Sequence, residues 1–367
     1  MADTASGTVG LVLAGAGARG AFEAGAVARL LPELERQGRR PAVLCGTSAG
    51  AITAVLLAAT AHLPADGAAD ELARQWCRAP ASSMLRSLAL AWPPNRLRWA
   101  SARLGLPALP AWLLDPSVLR RLLGRFDGWA QLHRNVEAGV VDAVALAVSD
   151  LTSGRTVVHV ETRPDRPLPA DDEDRGIRYV RTRLDLAHLY ASCAIPLLSV
   201  PVGLPDGTRT AWGVDGGVRL DVPLKPALDL GAERLVVVAT DVTSRPQAVA
   251  TAGAPGAADV LDALLHGGTG ERLLEDLRTL TQVNALLEAA GDGGPVDRQG
   301  RPYRRVPALV VTPARAGDLA RLAGGSGALA DLATFLLFVA PFTQRAFDLG
   351  ATRAAAVIDG AGDGWLT

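Results

Sequence analysis

The sequence predicts an α/β fold with a mostly parallel central sheet and helices on both faces of the sheet. Short apolar runs of strand type alternate with helical patterns from residue 9 onwards, an order typical of βαβ units. Two glycine-rich turns each lead from such a strand into a helix. The chain has 367 residues, of which 49% are hydrophobic and 20% are charged. This composition allows a large buried core and excludes a disordered chain.

The first part of the chain carries this alternation. Residues 9–14 are of strand type, and after a glycine turn residues 21–37 form a helical pattern that ends near Gly38. The next strand covers residues 41–45, and an apolar, alanine-rich helix follows over residues 51–59. The strand, helix, strand, helix order predicts neighbouring parallel strands.

The middle of the chain predicts a hairpin and then more alternating elements. The hairpin joins strands over residues 140–148 and 155–161 through a tight turn. The later elements are helices over residues 184–192 and 226–230 and a core strand over residues 234–239.

The composition changes near residue 243. Residues 244–258 are rich in Pro, Ala and Gly, as in a linker or flexible loop. The pattern beyond them predicts helices over residues 260–265, 271–289 and 329–347 and a strand over residues 307–311. We predict a main domain over residues 8–243, with a helical cap inserted at residues 64–135. A mainly helical extension over residues 244–367 is expected to pack on it.

Charge, cysteines and apolar runs narrow the class of protein. The net charge of −1 lacks the basic excess of a nucleic-acid-binding protein. The cysteines, Cys45, Cys77 and Cys193, form no zinc pattern and favour a reducing compartment. The first residues do not resemble a secretory signal, and no run reaches the ~18 apolar residues of a membrane span. The nearest run, residues 332–342, is expected to be a buried helix. We expect a cytoplasmic protein.

A candidate nucleophile lies between Gly46 and Gly50, which read G-T-S-A-G and match the G-x-S-x-G pattern of a nucleophile elbow. In that geometry Ser48 stands on a sharp turn from a strand into a helix. The two glycines occupy positions where a Cβ would come too close to other backbone. The strand type before the motif and the helical pattern after it agree with this interpretation.

A second glycine-rich turn runs from Gly15 to Gly20 and reads G-A-G-A-R-G, which fits G-x-G-x-x-G. A dinucleotide site would need an acidic residue at the end of the next strand, but that strand runs into the elbow without one. The alternative is an oxyanion hole, in which the N–H groups of a turn entering a helix point at one place. Arg19 either shapes the turn or adds positive potential there, or it forms only a structural salt bridge.

Asp215 is the candidate proton acceptor. It begins a D-G-G turn with Gly216 and Gly217 at the end of a strand pattern, although such turns are also common without a function. A desolvated aspartate with a raised pKa can accept a serine proton directly. In an α/β-hydrolase the histidine follows the acid in the chain, and only His266 satisfies that order. We expect the histidines to be structural or exposed and not catalytic, so a Ser–Asp dyad fits better than a triad.

Four motifs, in order, resemble the patatin-like phospholipase family. They are residues 13–20 with Gly25, residues 45–51, residues 191–196 and residues 215–217. The resemblance covers residues 8–241 and includes the hairpin region. The family commonly has glycine where this chain has Ala16, and asparagine where it has Asp221. We interpret the Asp221 difference as neutral.

This resemblance implies a three-layer α/β/α fold and a lipid acyl hydrolase that uses no metal or cofactor. Ser48 would be the nucleophile and Asp215 the base. The backbone amides of Gly15, Ala16 and Gly17 would form the oxyanion hole. The supporting motif residues would be Arg19, Gly20, Gly46, Gly50, Gly216 and Gly217. The expected substrate is a phospholipid or another acyl ester.

Two other functions remain open at this level. A thioesterase or acyltransferase would use the same serine, and a non-catalytic lipid-binding protein would keep the fold alone. Trp92, Trp99 and Trp112 stand among arginines and suit a cap packed on the sheet or transient contact with a membrane surface. The head group, the acyl position and the oligomeric state are not defined by the sequence.

Overall fold

The computed structural model describes residues 7–77, 119–120, 123–196, 198–240, 257–290, 295–296 and 302–362, with the backbone alone over residues 257–270. The predicted cap over residues 64–135 is therefore described only in part. Trp92, Trp99 and Trp112 lie outside the described residues, as does most of the predicted linker over residues 244–258.

Nine strands among the described residues form one sheet. They are β1 (Val9–Leu13), β2 (Pro41–Thr47), β3 (Ala143–Asp150), β4 (Arg155–Thr162), β5 (Ile177–Arg181), β6 (Val202–Asp206), β7 (Arg209–Asp215), β8 (Arg234–Val238) and β9 (Ala308–Val311). The main order is β5-β4-β3-β2-β1-β8-β9, and β7 pairs with both β3 and β6. The pairs from β3 through β2, β1 and β8 to β9 are all parallel, as is β4 with β5.

Helices cover both faces of this sheet. They are α1 (Gly20–Arg36), α2 (Ala49–Thr60), α3 (Ala65–Cys77), α4 (Trp129–Glu137), α5 (Leu186–Ser192), α6 (Leu224–Asp229), α7 (Ala257–Ala290), α8 (Asp318–Leu322), α9 (Ala328–Thr334) and α10 (Ala340–Ala361). Because side chains alternate along a strand, Leu11 and Leu13 of β1 pack towards α1, α2 and α10. Val12 packs in the other core, with α6 and α7. The expected three-layer α/β/α arrangement with a mostly parallel sheet is confirmed.

The hairpin is confirmed as β3 and β4, and the strand expected over residues 307–311 is confirmed as β9, which extends the same sheet beside β8. Residues 260–265 and 271–289 belong to one continuous helix, α7.

The single helix expected over residues 329–347, and with it the buried helix over residues 332–342, is wrong. The chain leaves α9 at Thr334 and starts α10 at Ala340. Pro341 explains the new start, because proline has no N–H to donate inside a helix but is well suited to its first turn. The break matters for the first glycine turn, because Phe335, the first residue after α9, contacts Ala18 of that turn.

α10 packs closely on α1 through glycine positions on both helices. A Cβ at Gly25 would lie 1.9 Å from the carbonyl oxygen of Phe347, and one at Gly350 would lie 1.9 Å from that of Phe22. Neither position has room for a larger residue, so the two backbones meet directly. No helix among the described residues is long and apolar enough to cross a bilayer.

Candidate active site

Ser48 lies at a sharp turn between β2 and α2. Its φ of 53° makes it the one non-glycine residue with a positive φ in the described part of the chain. A Cβ at Gly46 would lie 2.4 Å from the carbonyl oxygen of Gly50, and one at Gly50 would lie 2.4 Å from that of Leu13. The two glycines are therefore required by close backbone contacts, and the strained residue between them is the serine.

The register of β3 brings Asp215 to this serine. β2 pairs with residues 143–147 of β3 and ends at Thr47. β4 occupies the opposite edge of β3 along its whole length, so β7 pairs on the edge that β2 has left, with Val148 opposite Asp215. Thr47 at the end of β2 lies opposite Ala147, and Asp215 at the end of β7 lies opposite the next residue, Val148, so the two strands end side by side.

The two side chains are joined by a short hydrogen bond. Ser48 Oγ donates to Asp215 Oδ2 at 2.6 Å, and Asp215 Oδ1 accepts the backbone N–H of Gly217 at 2.8 Å. Both residues are buried, with 5% and 6% of their surface exposed. Desolvation raises the pKa of Asp215 to about 6, against the opposing effect of these two hydrogen bonds. The arrangement places a carboxylate of enhanced basicity directly on the serine proton.

The first glycine turn lies beside the same serine. A Cβ at Gly15 would lie 3.4 Å from Ser48 Cβ. The Gly15 amide donates to the carbonyl oxygen of Asp221 at 3.1 Å, so it is not free in the way the sequence-based expectation assumed. No described residue accepts a hydrogen bond from the amides of Ala16 or Gly17. Two of the three expected donors are therefore available to a ligand.

Alanine at position 16 is compatible with this turn. Ala16 has φ −148°, whereas the positive φ of 54° falls on Gly17. Of these two residues, only Gly17 must be glycine, because only there does the backbone enter the left-handed region. An alanine amide is as good a donor as a glycine amide.

Comparison with known proteins identifies the family of this chain. Residues 11–228 match the family model described as patatin-like phospholipase. The chain belongs to the patatin-like phospholipase family. The crystal structure of VipD from Legionella pneumophila is similar at a TM-score of 0.37 and 14% identity, over 97% of this chain and 67% of that chain. A search of the curated proteins finds no match. Membership supports hydrolysis of lipid acyl esters as the general activity.

Arg19 of the patatin-like chain extends its side chain to the C-terminal region. Its Nε donates to Thr334 Oγ1 at 2.6 Å, and its Nη2 lies 2.7 Å from Asp331 Oδ2. Its guanidinium also stacks on the ring of Phe335, 3.9 Å from the ring centroid. Only 2% of Arg19 is exposed. The structure thus shows the salt bridge of Arg19, made with Asp331.

No histidine with a described side chain contacts the Ser48–Asp215 pair in the patatin-like chain. Their partners are other residues: Asn135 for His62, Glu161 for His133, Thr182 for His159 and Asp185 for His188. Burial lowers the pKa of His159 to about 3, so this ring stays neutral. The side chain of His266 lies outside the described residues.

Three neighbours of the pair had no role in the sequence-based interpretation. Ser192 Oγ accepts the Ser48 amide at 3.0 Å, and Cys193 Sγ donates to the Ser48 carbonyl oxygen at 3.2 Å. Both belong to the motif over residues 191–196, which contributed to the family resemblance but had no structural role assigned to it. Burial raises the pKa of the Cys193 thiol, so it stays protonated. These contacts hold the strained serine backbone from behind.

The third neighbour is Asp221. A Cβ at Gly15 would lie 2.5 Å from Asp221 Oδ1, and a Cβ at Gly217 would lie 3.0 Å from it. Its carboxylate thus flanks both glycine motifs, and its backbone carbonyl holds the Gly15 amide. Asp221 therefore lies at the candidate site, a position that its difference from the family did not reveal.

Proposed function

We propose that the chain is a lipid acyl hydrolase, of phospholipase A, lysophospholipase or carboxylesterase type, that works through a Ser48–Asp215 dyad. The observation that carries this proposal is the 2.6 Å hydrogen bond from Ser48 Oγ to the buried Asp215 carboxylate. Ser48 lies at a strained elbow and donates its proton to a carboxylate of raised pKa, which are the features expected of an activated nucleophile.

Acylation begins when Ser48 Oγ attacks the ester carbonyl carbon and its proton passes to Asp215 Oδ2. The carbonyl oxygen becomes an oxyanion, which the amides of Ala16 and Gly17 stabilise by hydrogen bonds. When the intermediate collapses, the ester C–O bond breaks. The alcohol or lysolipid leaves with the proton from Asp215, and the acyl group stays on Ser48.

Deacylation reverses these roles. Asp215 takes a proton from a water molecule, and the resulting hydroxide attacks the acyl carbon. The fatty acid leaves, and Ser48 regains its proton from Asp215. With a pKa near 6, Asp215 is mostly ionised at neutral pH, so it can act as a base there while still being a stronger base than an ordinary aspartate.

The deciding experiment is a panel of phospholipids, lysophospholipids and simple esters assayed with wild type and Ser48→Ala. We expect Ser48→Ala to lower turnover by roughly 10⁴-fold or more, because the covalent step is lost. Ser199→Ala is a matched control, since Ser199 is also buried, with 2% of its surface exposed. Equal rates for wild type and Ser48→Ala would refute the dyad.

The same panel separates the other functions. A thioester substrate and an added acceptor alcohol reveal thioesterase or acyltransferase activity through their products. A fluorophosphonate probe that labels wild type but not Ser48→Ala supports an acyl-enzyme. Failure to label folded wild-type protein would support a non-catalytic lipid-binding role instead.

We further propose a cytoplasmic protein that contacts membrane surfaces transiently, since its proposed substrates reside in bilayers, and that does not bind nucleic acid. The main domain would cover residues 8–243, with the cap at residues 64–135 and the C-terminal extension beyond residue 243. Pelleting with phospholipid vesicles tests the membrane contact; a Trp92/Trp99/Trp112 triple-alanine variant asks whether these side chains provide it.

A further inference from the structure

The C-terminal extension reaches the turn that carries the proposed oxyanion donors. Residues 331–335, here called the supporting segment, include the end of α9 and the first residue after it. The Ala18 amide donates to the carbonyl oxygen of Phe335 at 2.8 Å. A Cβ at Gly17 would lie 2.3 Å from that same oxygen. The Phe335 carbonyl therefore lies directly against the left-handed residue of the turn.

This contact orients the peptide groups that matter. The Ala18 N–H belongs to the peptide group that follows Gly17, and the Gly17 N–H belongs to the one before it. The two groups are related by the φ and ψ of Gly17, whose φ of 54° lies in the region that glycine adopts most readily. Holding one group at Phe335 therefore limits the rotation of the other, which carries a proposed donor.

Arg19 fixes the far end of the turn to the same segment. Its Nη2 contacts both the side chain and the carbonyl oxygen of Asp331, at 2.7 and 2.6 Å. Thr334, which is fully buried, accepts from Arg19 Nε and donates its own hydroxyl to the Asp331 carbonyl oxygen, each at 2.6 Å. The guanidinium is thus held on two edges and one face, and few motions of the turn leave these contacts intact.

We propose that Asp331, Thr334 and Phe335 are positioning residues for the oxyanion turn, so that the C-terminal extension completes the active site. The inference rests on the proposed function. Preorganised donors stabilise charge that develops in the transition state more than they stabilise the bound ester. Loosening the turn should therefore lower kcat and leave KM nearly unchanged.

The test compares kcat and KM for Thr334→Val, Thr334→Ser and Thr343→Val on one ester from the panel. Thr334→Val keeps the shape but removes the oxygen that Arg19 contacts, whereas serine restores it. Thr343 is the matched control: it is equally buried, and among the described residues its hydroxyl bonds only to the nearby carbonyl oxygens of Val339 and Ala340. Thermal unfolding of each variant monitors the fold.

We expect Thr334→Val to lower kcat about tenfold with KM within about twofold, a smaller loss than the roughly hundredfold that a 1 Å misplacement can cause. Thr334→Ser should recover most of the rate, and Thr343→Val should match wild type. If Thr334→Val does not fold, Phe335→Leu is tested instead. It removes the ring on which Arg19 stacks and keeps the carbonyl oxygen that accepts the Ala18 amide, so it should lower kcat by a smaller factor.

Some outcomes overturn the inference and others the proposed function. If Thr334→Val, or Phe335→Leu in its place, turns over like Thr343→Val, the supporting segment has no part in positioning. A change confined to KM would likewise contradict it. By contrast, an inactive wild type, or a Ser48→Ala variant that remains active, refutes the proposed dyad itself. Wild type and Ser48→Ala are therefore assayed before the variants of the supporting segment.

Discussion

Two glycine-rich turns lie side by side in the candidate site, and they are supported by different parts of the chain. The elbow at residues 46–50 packs against β1, the end of β3 and the D-G-G turn. The turn at residues 15–20 depends on the supporting segment, with Arg19 bonded to a threonine 315 residues further along the chain. The proposed nucleophile is therefore held mainly by the sheet and the elements beside it, whereas the turn with the proposed oxyanion donors is held mainly by the C-terminal extension.

This difference separates two requirements of acyl transfer. The ends of β2 and β7, both paired with β3, form a rigid frame that keeps Ser48 and Asp215 at hydrogen-bond distance. The donor turn is fixed by the Arg19–Asp331 ion pair, by the Thr334 hydroxyl, and by backbone carbonyl oxygens of Asp331, Phe335 and Asp221. Changes at the elbow should alter proton transfer from Ser48 to Asp215. Changes at the turn of residues 15–20 should alter the stabilisation of the oxyanion.

The largest effect is expected from Asp215→Asn. Turnover should fall about a thousandfold, because an amide cannot accept the serine proton. The side chain keeps an acceptor for the Gly217 amide, so the fold should survive. The measurement is kcat on the ester panel; a variant with more than about a tenth of the wild-type rate would mean that another group is the base.

The same variant should be more stable than wild type at pH 8. Folding raises the pKa of Asp215 to about 6, so keeping the ionised form buried costs stability above its unfolded pKa near 3.8. The cost is absent below about pH 4, grows up to about pH 6 and is constant above that, at about 3 kcal/mol. Denaturant unfolding at pH 4 and pH 8 checks this, and equal stability differences at both values would contradict it.

An intermediate effect is expected from Gly17→Ala, with Gly38→Ala as its control. Both glycines have a positive φ, 54° and 68°, but a Cβ at Gly38 would meet nothing within 4 Å. Gly38→Ala should therefore cost only the backbone strain, about 1 kcal/mol. Gly17→Ala adds the collision with the Phe335 carbonyl, so it should be clearly less stable and lose at least about tenfold in kcat.

Unfolding in denaturant and steady-state kinetics on both glycine variants provide the readout. If the two variants lost the same stability and both kept full turnover, the contact between the turn and the supporting segment would have no functional weight. The turn at residues 15–20 would then not depend on the supporting segment for its function.

The smallest effect is a shared pH profile. For wild type, kcat/KM should fall about tenfold per unit as the pH drops below about 6, because protonated Asp215 cannot act as a base. Thr334→Val should show the same midpoint at a lower plateau, since Asp215 keeps its partners Ser48 and Gly217. A shifted midpoint in Thr334→Val would show that the two turns are coupled.

The sequence by itself determined the parallel sheet, the glycine positions and the candidate serine. These are local features: a strand, a tight turn and a helix are written in neighbouring residues, and a backbone that approaches within van der Waals contact admits only glycine. Asp215 could be singled out for the same reason, as a carboxylate at a strand end.

Only the tertiary structure decided how these parts meet. The register of β7 on β3 puts Asp215 at the end of β2, and the break between α9 and α10 brings Phe335 against Gly17. The same folding commits the Gly15 amide to Asp221 and turns Arg19 towards Asp331. Such contacts join residues that are far apart in the chain, and local patterns do not report them because the partners are chosen by packing of the whole core.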